Sequence, residues 1–323
     1  MASTSWPRGF LVHTGHAGLL DDGRDDVAII VSEGPATSSA VFTRSRFAGP
    51  SIELSREASG GRNARGVVVL ARNANVATGA DGAADAVEIR DRVASIVGIP
   101  AEQLLIASTG VIGRRYPMTA LRTYLDGVQW PREESDFAAA ARAIMTTDTH
   151  PKLHTAHVGD ARIVGIAKGV GMIEPDMATM LAFLCTDAAM SPEQLDTTFR
   201  RVVERTFNSV SIDTDTSTSD TAAIFANGLA GPVDAGAFEE ALSQVCLDLV
   251  RDIASDGEGA GRLIVVEVGG ARDDSQAKRV GKSIVNSPLV KTMVHGSDPN
   301  WGRVTMAIGK CQDDLDIEAD RVR

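Results

Sequence analysis

The sequence predicts a layered α/β fold, a sandwich in which sheets are packed between helices. Two observations favour this class. Short runs of aliphatic and β-branched residues alternate with segments of helical periodicity, and neither an internal repeat nor a low-complexity linker separates them. The 323 residues suffice for one large domain or about two ordinary ones. Because aromatic residues make up only 4% of the chain, we expect a core of Val, Ile, Leu and Ala.

Buried strands are predicted where apolar runs are short and rich in β-branched or aliphatic residues. In chain order these runs are Gly66–Ala71, Leu104–Ser108, Arg162–Ala167, Thr221–Ala226 and Leu263–Val268. Helices are predicted where apolar residues recur at helical spacing. These segments are Ala83–Val97, Ser191–Phe207 and Ala235–Ser255. Ser191 and Gln194 form a capping-box pattern at the start of the second helix.

Charge and cysteine usage exclude several classes of protein. Lys and Arg number 32 against 43 Asp and Glu, so the net charge of −11 disfavours a nucleic-acid-binding protein. The 3 cysteines are widely spaced, which argues against a disulfide framework or a zinc cluster. The N-terminus lacks the basic and apolar regions of a secretory signal, and no apolar run is long enough to span a membrane. We therefore expect a cytoplasmic protein.

Two segments have features of metal sites. His150, His154 and His157 are suitably spaced, but Pro151 would break a helix that aligned them, so a solvated loop is favoured. The segment Asp213–Asp220 resembles a cation-binding loop, yet its Asp, Ser and Thr side chains can also form local bonds to the backbone. The glycine-rich stretches lack the order and spacing of nucleotide-binding turns. We expect neither a metal nor a nucleotide cofactor.

A remaining stretch, Lys168–Phe183, joins a glycine-rich segment to a buried apolar run through Pro175. A backbone that is mobile on one side and fixed on the other can hold a peptide bond such as Ala178–Thr179 under strain. On physical grounds alone, an ordinary loop entering a buried strand is the simpler interpretation.

This stretch closely resembles the self-cleavage motif of the ornithine acetyltransferase family, the bifunctional enzymes of arginine biosynthesis. Further segments resemble that family in the same order along nearly the whole chain. They are Arg72–Gly79, Ala107–Gly113, Ile144–Thr149, Asp213–Thr221, Ser255–Ala260 and Asp298–Arg303. Within the family, Gly171–Thr179 is most similar to the branch linked to clavulanic acid gene clusters.

The resemblance implies that Thr179 cleaves the Ala178–Thr179 bond. The fragments 1–178 and 179–323 would stay associated, two of each forming a heterotetramer. The threonine hydroxyl would attack the preceding carbonyl, and hydrolysis of the resulting ester would free an α-amine. Because that amine has a pKa near ~8, a useful fraction is neutral at physiological pH and can serve as the base for the hydroxyl.

Further roles follow from the resemblance. Thr109 and Gly110 would stabilise the oxyanion through a hydroxyl and a backbone N–H. The substrate-binding residues would be Thr146, Lys168, Thr179 and Glu258. The implied reaction transfers an acetyl group from N-acetylornithine to glutamate without a cofactor. Lys168 and Glu258 could instead be surface ion-pair residues.

Two alternatives to an acetyltransferase remain open. One is a related self-processing aminopeptidase or amidohydrolase with an N-terminal threonine. The other is a binding protein that no longer processes itself, although the intact Ala178–Thr179 pair argues against it. The family's polypeptide also continues beyond the segment resembling Asp298–Arg303 and supplies an Asn and a Thr to the pocket. Neither has a counterpart in this chain, so we expect weaker substrate binding or lower stability than in a longer form.

Overall fold

A computed structural model describes residues 6–20, 22–131, 135–173 and 180–323. Two β-sheets lie face to face, and helices cover the outer face of each. The predicted α/β sandwich of sheets between helices is therefore confirmed. The apolar cluster between the two sheets consists mainly of small and aliphatic side chains, as the low aromatic content suggested.

The first sheet has four strands in the order β1-β2-β4-β5. Their bounds are β1 Phe10–Gly15, β2 Val27–Ser32, β4 Gly66–Leu70 and β5 Leu104–Ser108. β4 and β5 are parallel, and the chain crosses between them through helix α2, Gly79–Val97. Helices α2 and α3, Met118–Asp126, pack their apolar side chains on the outer face of this sheet.

The second sheet has five strands in the order β3-β9-β8-β7-β6. Their bounds are β3 Thr37–Phe42, β6 Lys152–Val158, β7 Ala161–Lys168, β8 Leu181–Ala189 and β9 Thr221–Pro232. β8 and β9 are parallel, whereas the other neighbouring pairs are antiparallel. Helices α5, Pro192–Arg205, and α6, Ala235–Ser255, cover its outer face.

Two further helices complete the layer between the sheets. Helix α1, Pro50–Ser59, and helix α4, Phe137–Ala143, contribute Ile52 and Phe137 to that central cluster. C-terminal to α6, three short helices pack on each other around Val280. They are α7 Asp274–Val285, α8 Pro288–His295 and α9 Gly302–Ile308. None of the helices in the described residues combines the length and apolar composition needed to cross a membrane.

Most of the predicted elements are confirmed, but one predicted strand is wrong. The capping box at Ser191 forms as its sequence pattern indicated. In contrast, Leu263–Val268 makes no ladder with another described strand, and Val265 is 67% exposed. Its β-branched residues produced the prediction, but a strand also needs a neighbour that satisfies its backbone groups, and none of the described strands lies beside this segment.

Candidate active site

The candidate site lies at one end of the five-stranded sheet, which we call the entry end: β7 finishes there, and β8 and β9 begin there. Lys168, the last residue of β7, pairs with Leu181, the first residue of β8. On its other side Leu181 pairs with Thr221, the first residue of β9. Ala178 and Thr179 lie outside the described residues, but Leu181 is only two positions beyond Thr179 in the sequence. Lys168 is therefore close to the point where the predicted cleavage motif enters the sheet.

Asp213 anchors the backbone that precedes this motif. Its carboxylate accepts hydrogen bonds from the backbone amides of Met172 and Ile173, the latter at 2.7 Å. The amide of Asp215 donates to the same carboxylate at 3.2 Å. The backbone-bonding interpretation of the Asp213–Asp220 segment is thus confirmed for its first residue, which joins this segment to the glycine-rich stretch.

Lys168 is partly buried close to two acidic side chains, Asp148 and Asp220. Burial lowers the pKa of Lys168 below its ordinary value, while the two carboxylates act in the opposite direction. Burial alone would raise the pKa of Asp148, but the ammonium groups of Lys152 and Lys168 outweigh that effect and lower it. The entry end therefore contains closely spaced charges of both signs, as recognition of an amino acid requires.

The loops around Lys168 also bring together Thr146 and Glu258, two other predicted substrate-binding residues. The amide of Thr146 donates to Asp148 at 3.0 Å, next to Lys168. The hydroxyl of Thr147 donates to the carboxylate of Glu258 at 3.3 Å. A Cβ at Gly171 would lie 3.2 Å from the Glu258 carboxyl carbon, so the glycine permits this close approach. Thr146, Lys168 and Glu258 thus form one cluster.

Thr109 and Gly110 lie at the end of β5 in the other sheet. The amides on either side of Gly110 are used within the loop: Thr109 donates to Leu70 at 3.0 Å and Val111 donates to Arg72 at 3.1 Å. Between them, the Gly110 amide makes no hydrogen bond to a described residue. Gly110 has φ +128°, and a Cβ there would lie 2.1 Å from the carbonyl carbon of Arg72.

The first turn of α1 connects the two parts of the candidate site. The amide of Gly49 donates to the carbonyl of Thr218, in the loop before β9, at 3.0 Å. Two residues further on, Ser51 accepts a hydrogen bond from Ser108, which precedes Thr109, at 2.9 Å. Among the described residues no hydrogen bond joins Thr109 directly to Lys168 or Glu258. The structure therefore places Thr109 and Gly110 on one sheet and the charged cluster on the neighbouring sheet, with α1 between them.

A buried, ion-paired lysine lies beside the cluster and was not predicted from the sequence. The Lys152 side chain is fully buried, and its Nζ lies 2.7 Å from both Asp148 and Asp256. Burial would raise the pKa of Asp256, but hydrogen bonds from Lys152 and Thr149 lower it. Because its sequence neighbours include a proline and two histidines, Lys152 resembles a surface lysine. The acidic side chain of Asp148, four positions earlier, was the only sequence feature that indicated an ion pair.

The prediction of a solvated loop holds for His150, which lies in an exposed bend, but it is wrong for His154 and His157. His154 and His157 belong to β6, an edge strand, and His154 Nε2 lies 2.7 Å from Asp252 on α6. Edge strands tolerate polar side chains because one side of the strand has no neighbour, so polarity alone was misleading. The described residues contain no group of His, Cys, Asp and Glu side chains arranged to hold a metal ion.

A cavity of about 1010 Å³ lies between α5, α6, α7 and the segment 257–268, and it adjoins the cluster at Glu258. Glu258 is on its wall, but Thr109, Thr146 and Lys168 are not among the described residues that line it. We therefore assign the candidate site to the entry end of the sheet.

The model of the ArgJ family matches residues 11–323. The chain belongs to the ArgJ family. It is 67% identical over 316 residues to "Glutamate N-acetyltransferase Oat2" of Streptomyces clavuligerus, a match that covers 98% of this chain and 80% of that protein. It is 60% identical to the "Arginine biosynthesis bifunctional protein ArgJ" of Rhodococcoides fascians, which covers 99% of this chain and 79% of that protein. These matches confirm the family resemblance that the sequence segments indicated.

Among solved structures, this ArgJ chain is similar to an ornithine acetyltransferase from Mycobacterium tuberculosis complexed with ornithine. The two share 28% sequence identity with a TM-score of 0.47, over 54% of this chain and 95% of the other.

Proposed function

We propose that this ArgJ-family chain is a glutamate N-acetyltransferase that takes its acetyl group from N-acetylornithine and uses Thr179 as the nucleophile. The main supporting observation is the strand register at the entry end. Lys168 pairs with Leu181, so a cation lies beside the point where the residues after Thr179 enter the sheet. The names of the curated relatives, which include a glutamate N-acetyltransferase, agree with this activity.

In the proposed maturation, Thr179 attacks the carbonyl carbon of Ala178. The amide bond becomes an ester through an N-to-O shift, and water then hydrolyses the ester. The products are a carboxylate on Ala178 and a free α-amine on Thr179, which becomes the first residue of the second fragment. In its neutral form that amine accepts the hydroxyl proton, so nucleophile and base belong to one residue.

The sheet supports the proposal that the two fragments stay associated. β8 and β9 belong to the fragment 179–323, whereas β3 and β7 belong to 1–178. Antiparallel ladders join β7 to β8 and β3 to β9, so the two strands of the second fragment lie between strands of the first within a single sheet. Cleavage would leave these ladders and the buried side chains around them intact. Assembly of two such pairs into a heterotetramer, and a cytoplasmic location, are further parts of the proposal.

Acetyl transfer then takes two steps. The Thr179 hydroxyl attacks the acetyl carbonyl of N-acetylornithine, ornithine leaves with the proton, and an acetyl ester remains on Thr179. The amine of glutamate attacks that ester, giving N-acetylglutamate and restoring the hydroxyl. Thr109 and Gly110 donate hydrogen bonds to the oxyanion in both steps. Lys168 pairs with the amino-acid carboxylate, while Thr146 and Glu258 contact its polar groups.

The test is to incubate the protein with N-acetylornithine, with and without glutamate, and to measure ornithine and N-acetylglutamate. The proposal expects the two products in equal amounts and little ornithine without glutamate. Rapid ornithine release without an acceptor would instead indicate the amidohydrolase alternative. A chain that stays whole and forms neither product would indicate the binding protein.

A further inference from the structure

Lys152 connects three loops of the candidate site through two carboxylates. Its ammonium lies between Asp148 and Asp256, 2.7 Å from an oxygen of each, at the first position of β6. The side chain has no exposed surface, so it cannot contact solvent or substrate directly. Any contribution to the reaction must therefore pass through the two carboxylates.

Each carboxylate accepts a hydrogen bond from a loop that carries a predicted substrate-binding residue. Asp148 accepts a hydrogen bond from Gly169, which follows Lys168, at 2.7 Å, and another from Thr146 at 3.0 Å. Asp256 accepts a hydrogen bond from the amide of Thr149 at 3.0 Å and lies two residues before Glu258.

We propose that Lys152 is a positioning residue for the amino-acid pocket. By holding Asp148 and Asp256 at a fixed separation, it fixes Thr146, the end of β7 at Lys168 and the turn that carries Glu258 in one arrangement. This inference rests on the proposed function, because it assigns those residues to a bound amino acid.

A purely structural role explains the arrangement less well. Burying an ion pair costs desolvation energy, and well-packed apolar residues often stabilise a fold as much. Moreover, a second side-chain contact already joins β6 to α6 close by: His154 Nε2 and the Asp252 carboxylate are 2.7 Å apart. That pair is partly exposed, and neither of its side chains forms a hydrogen bond with a described loop of the candidate site. It provides a matched control for Lys152 and Asp256.

The experiment compares Lys152→Met and Asp256→Asn with Asp252→Asn in the full chain. Two acetyl donors are used: N-acetylornithine and N-acetylputrescine, which has the same amine but lacks the carboxylate. We expect Lys152→Met and Asp256→Asn to lower kcat/KM for N-acetylornithine by roughly 10- to 100-fold, mainly by raising KM. A displacement of the substrate-binding groups reduces kcat/KM by about this factor. Both should change kcat/KM for N-acetylputrescine much less, and Asp252→Asn should leave the ratio of the two donors unchanged.

The outcomes separate the two proposals. A loss of the same size for both donors, or an unchanged donor ratio in Asp256→Asn, would overturn the positioning role while leaving the transferase proposal intact. If Lys152→Met does not fold, the comparison of Asp256→Asn with Asp252→Asn decides the question. A wild-type chain that transfers no acetyl group from N-acetylornithine would overturn the proposed function and this inference with it.

Discussion

The carboxylate of Asp213 accepts a hydrogen bond of 2.7 Å from the backbone amide of Ile173. Asp213 precedes β9, and Ile173 is six positions before Thr179 in the sequence. The same carboxylate accepts a hydrogen bond from the amide of Met172. In the opposite direction, the amide of Ile212 donates a hydrogen bond of 2.7 Å to the carbonyl of Ile173. The backbone leading to the proposed cleavage bond is therefore fixed to the loop before β9.

Asp213→Ala should slow self-cleavage, because two backbone amides lose their acceptor and the preceding segment is less well held. Asp215→Ala is the matched control, since only the backbone amide of Asp215 takes part in this network. The fraction of cleaved chain is followed on a denaturing gel after expression and during incubation. Equal cleavage rates in the two variants would show that this anchor is not needed for processing.

Thr109→Val should lower kcat for acetyl transfer by about 10²- to 10³-fold, or ~2.7–4 kcal/mol, because one oxyanion donor is lost. Its KM and melting temperature should change little, since valine has nearly the same shape. Thr109→Ser keeps the hydroxyl and is expected to retain much of the activity. If the valine variant is as active as wild type, Thr109 is not an oxyanion donor.

Gly110→Ala should destabilise the protein more than Gly113→Ala. Both glycines have positive φ, so each substitution introduces backbone strain of roughly 1–3 kcal/mol. At Gly110 the new methyl would also collide with the backbone of Arg72, whereas nothing lies within 4 Å of a Cβ at Gly113. Thermal unfolding of the two variants measures the difference. Equal melting temperatures would mean that the Arg72 backbone moves away at no cost.

The alkaline limb of kcat/KM should report Lys168. Its ammonium form would bind the substrate carboxylate, and this form is lost as the pH rises through the pKa. Because burial lowers that pKa, the decline should begin at a lower pH than for an ordinary lysine, whose pKa is near ~10.4.

Lys168→Arg should shift this limb to higher pH, since the guanidinium stays charged throughout. The acidic limb, assigned to the α-amine of Thr179, should not move. The measurement is a pH profile of kcat/KM for both proteins. An alkaline limb at the same pH in both would assign it to a different group.

The sequence predicts elements well where local pattern decides the structure. The capping box at Ser191 and the amphipathic helix Ala235–Ser255 depend on neighbouring residues only, and both are confirmed. The strand prediction for Leu263–Val268 was wrong because a strand needs a neighbouring strand, which the local sequence pattern cannot reveal. The edge strand containing His154 and His157 was missed for the related reason that polar side chains obscure strand periodicity when one side of the strand lacks a neighbour.

The candidate site could be predicted only in part. Family resemblance selected Thr146, Lys168 and Glu258, and the structure brings them together. Lys152 was missed because a buried lysine cannot be distinguished from a surface lysine until its partners are known. One of those partners, Asp256, is 104 positions away, and the link through α1 between Thr109 and the entry end likewise depends on contacts distant in sequence.

The most direct measurement of the central claim is the intact mass of the chain after incubation with N-acetylornithine and no acceptor. The account predicts fragments 1–178 and 179–323, with one acetyl group on Thr179 of the second fragment that is removed when glutamate is added. Thr179→Ala should remain a single, unacetylated chain. A wild-type chain that stays whole, or an acetyl group on another residue such as Cys185, would contradict the account.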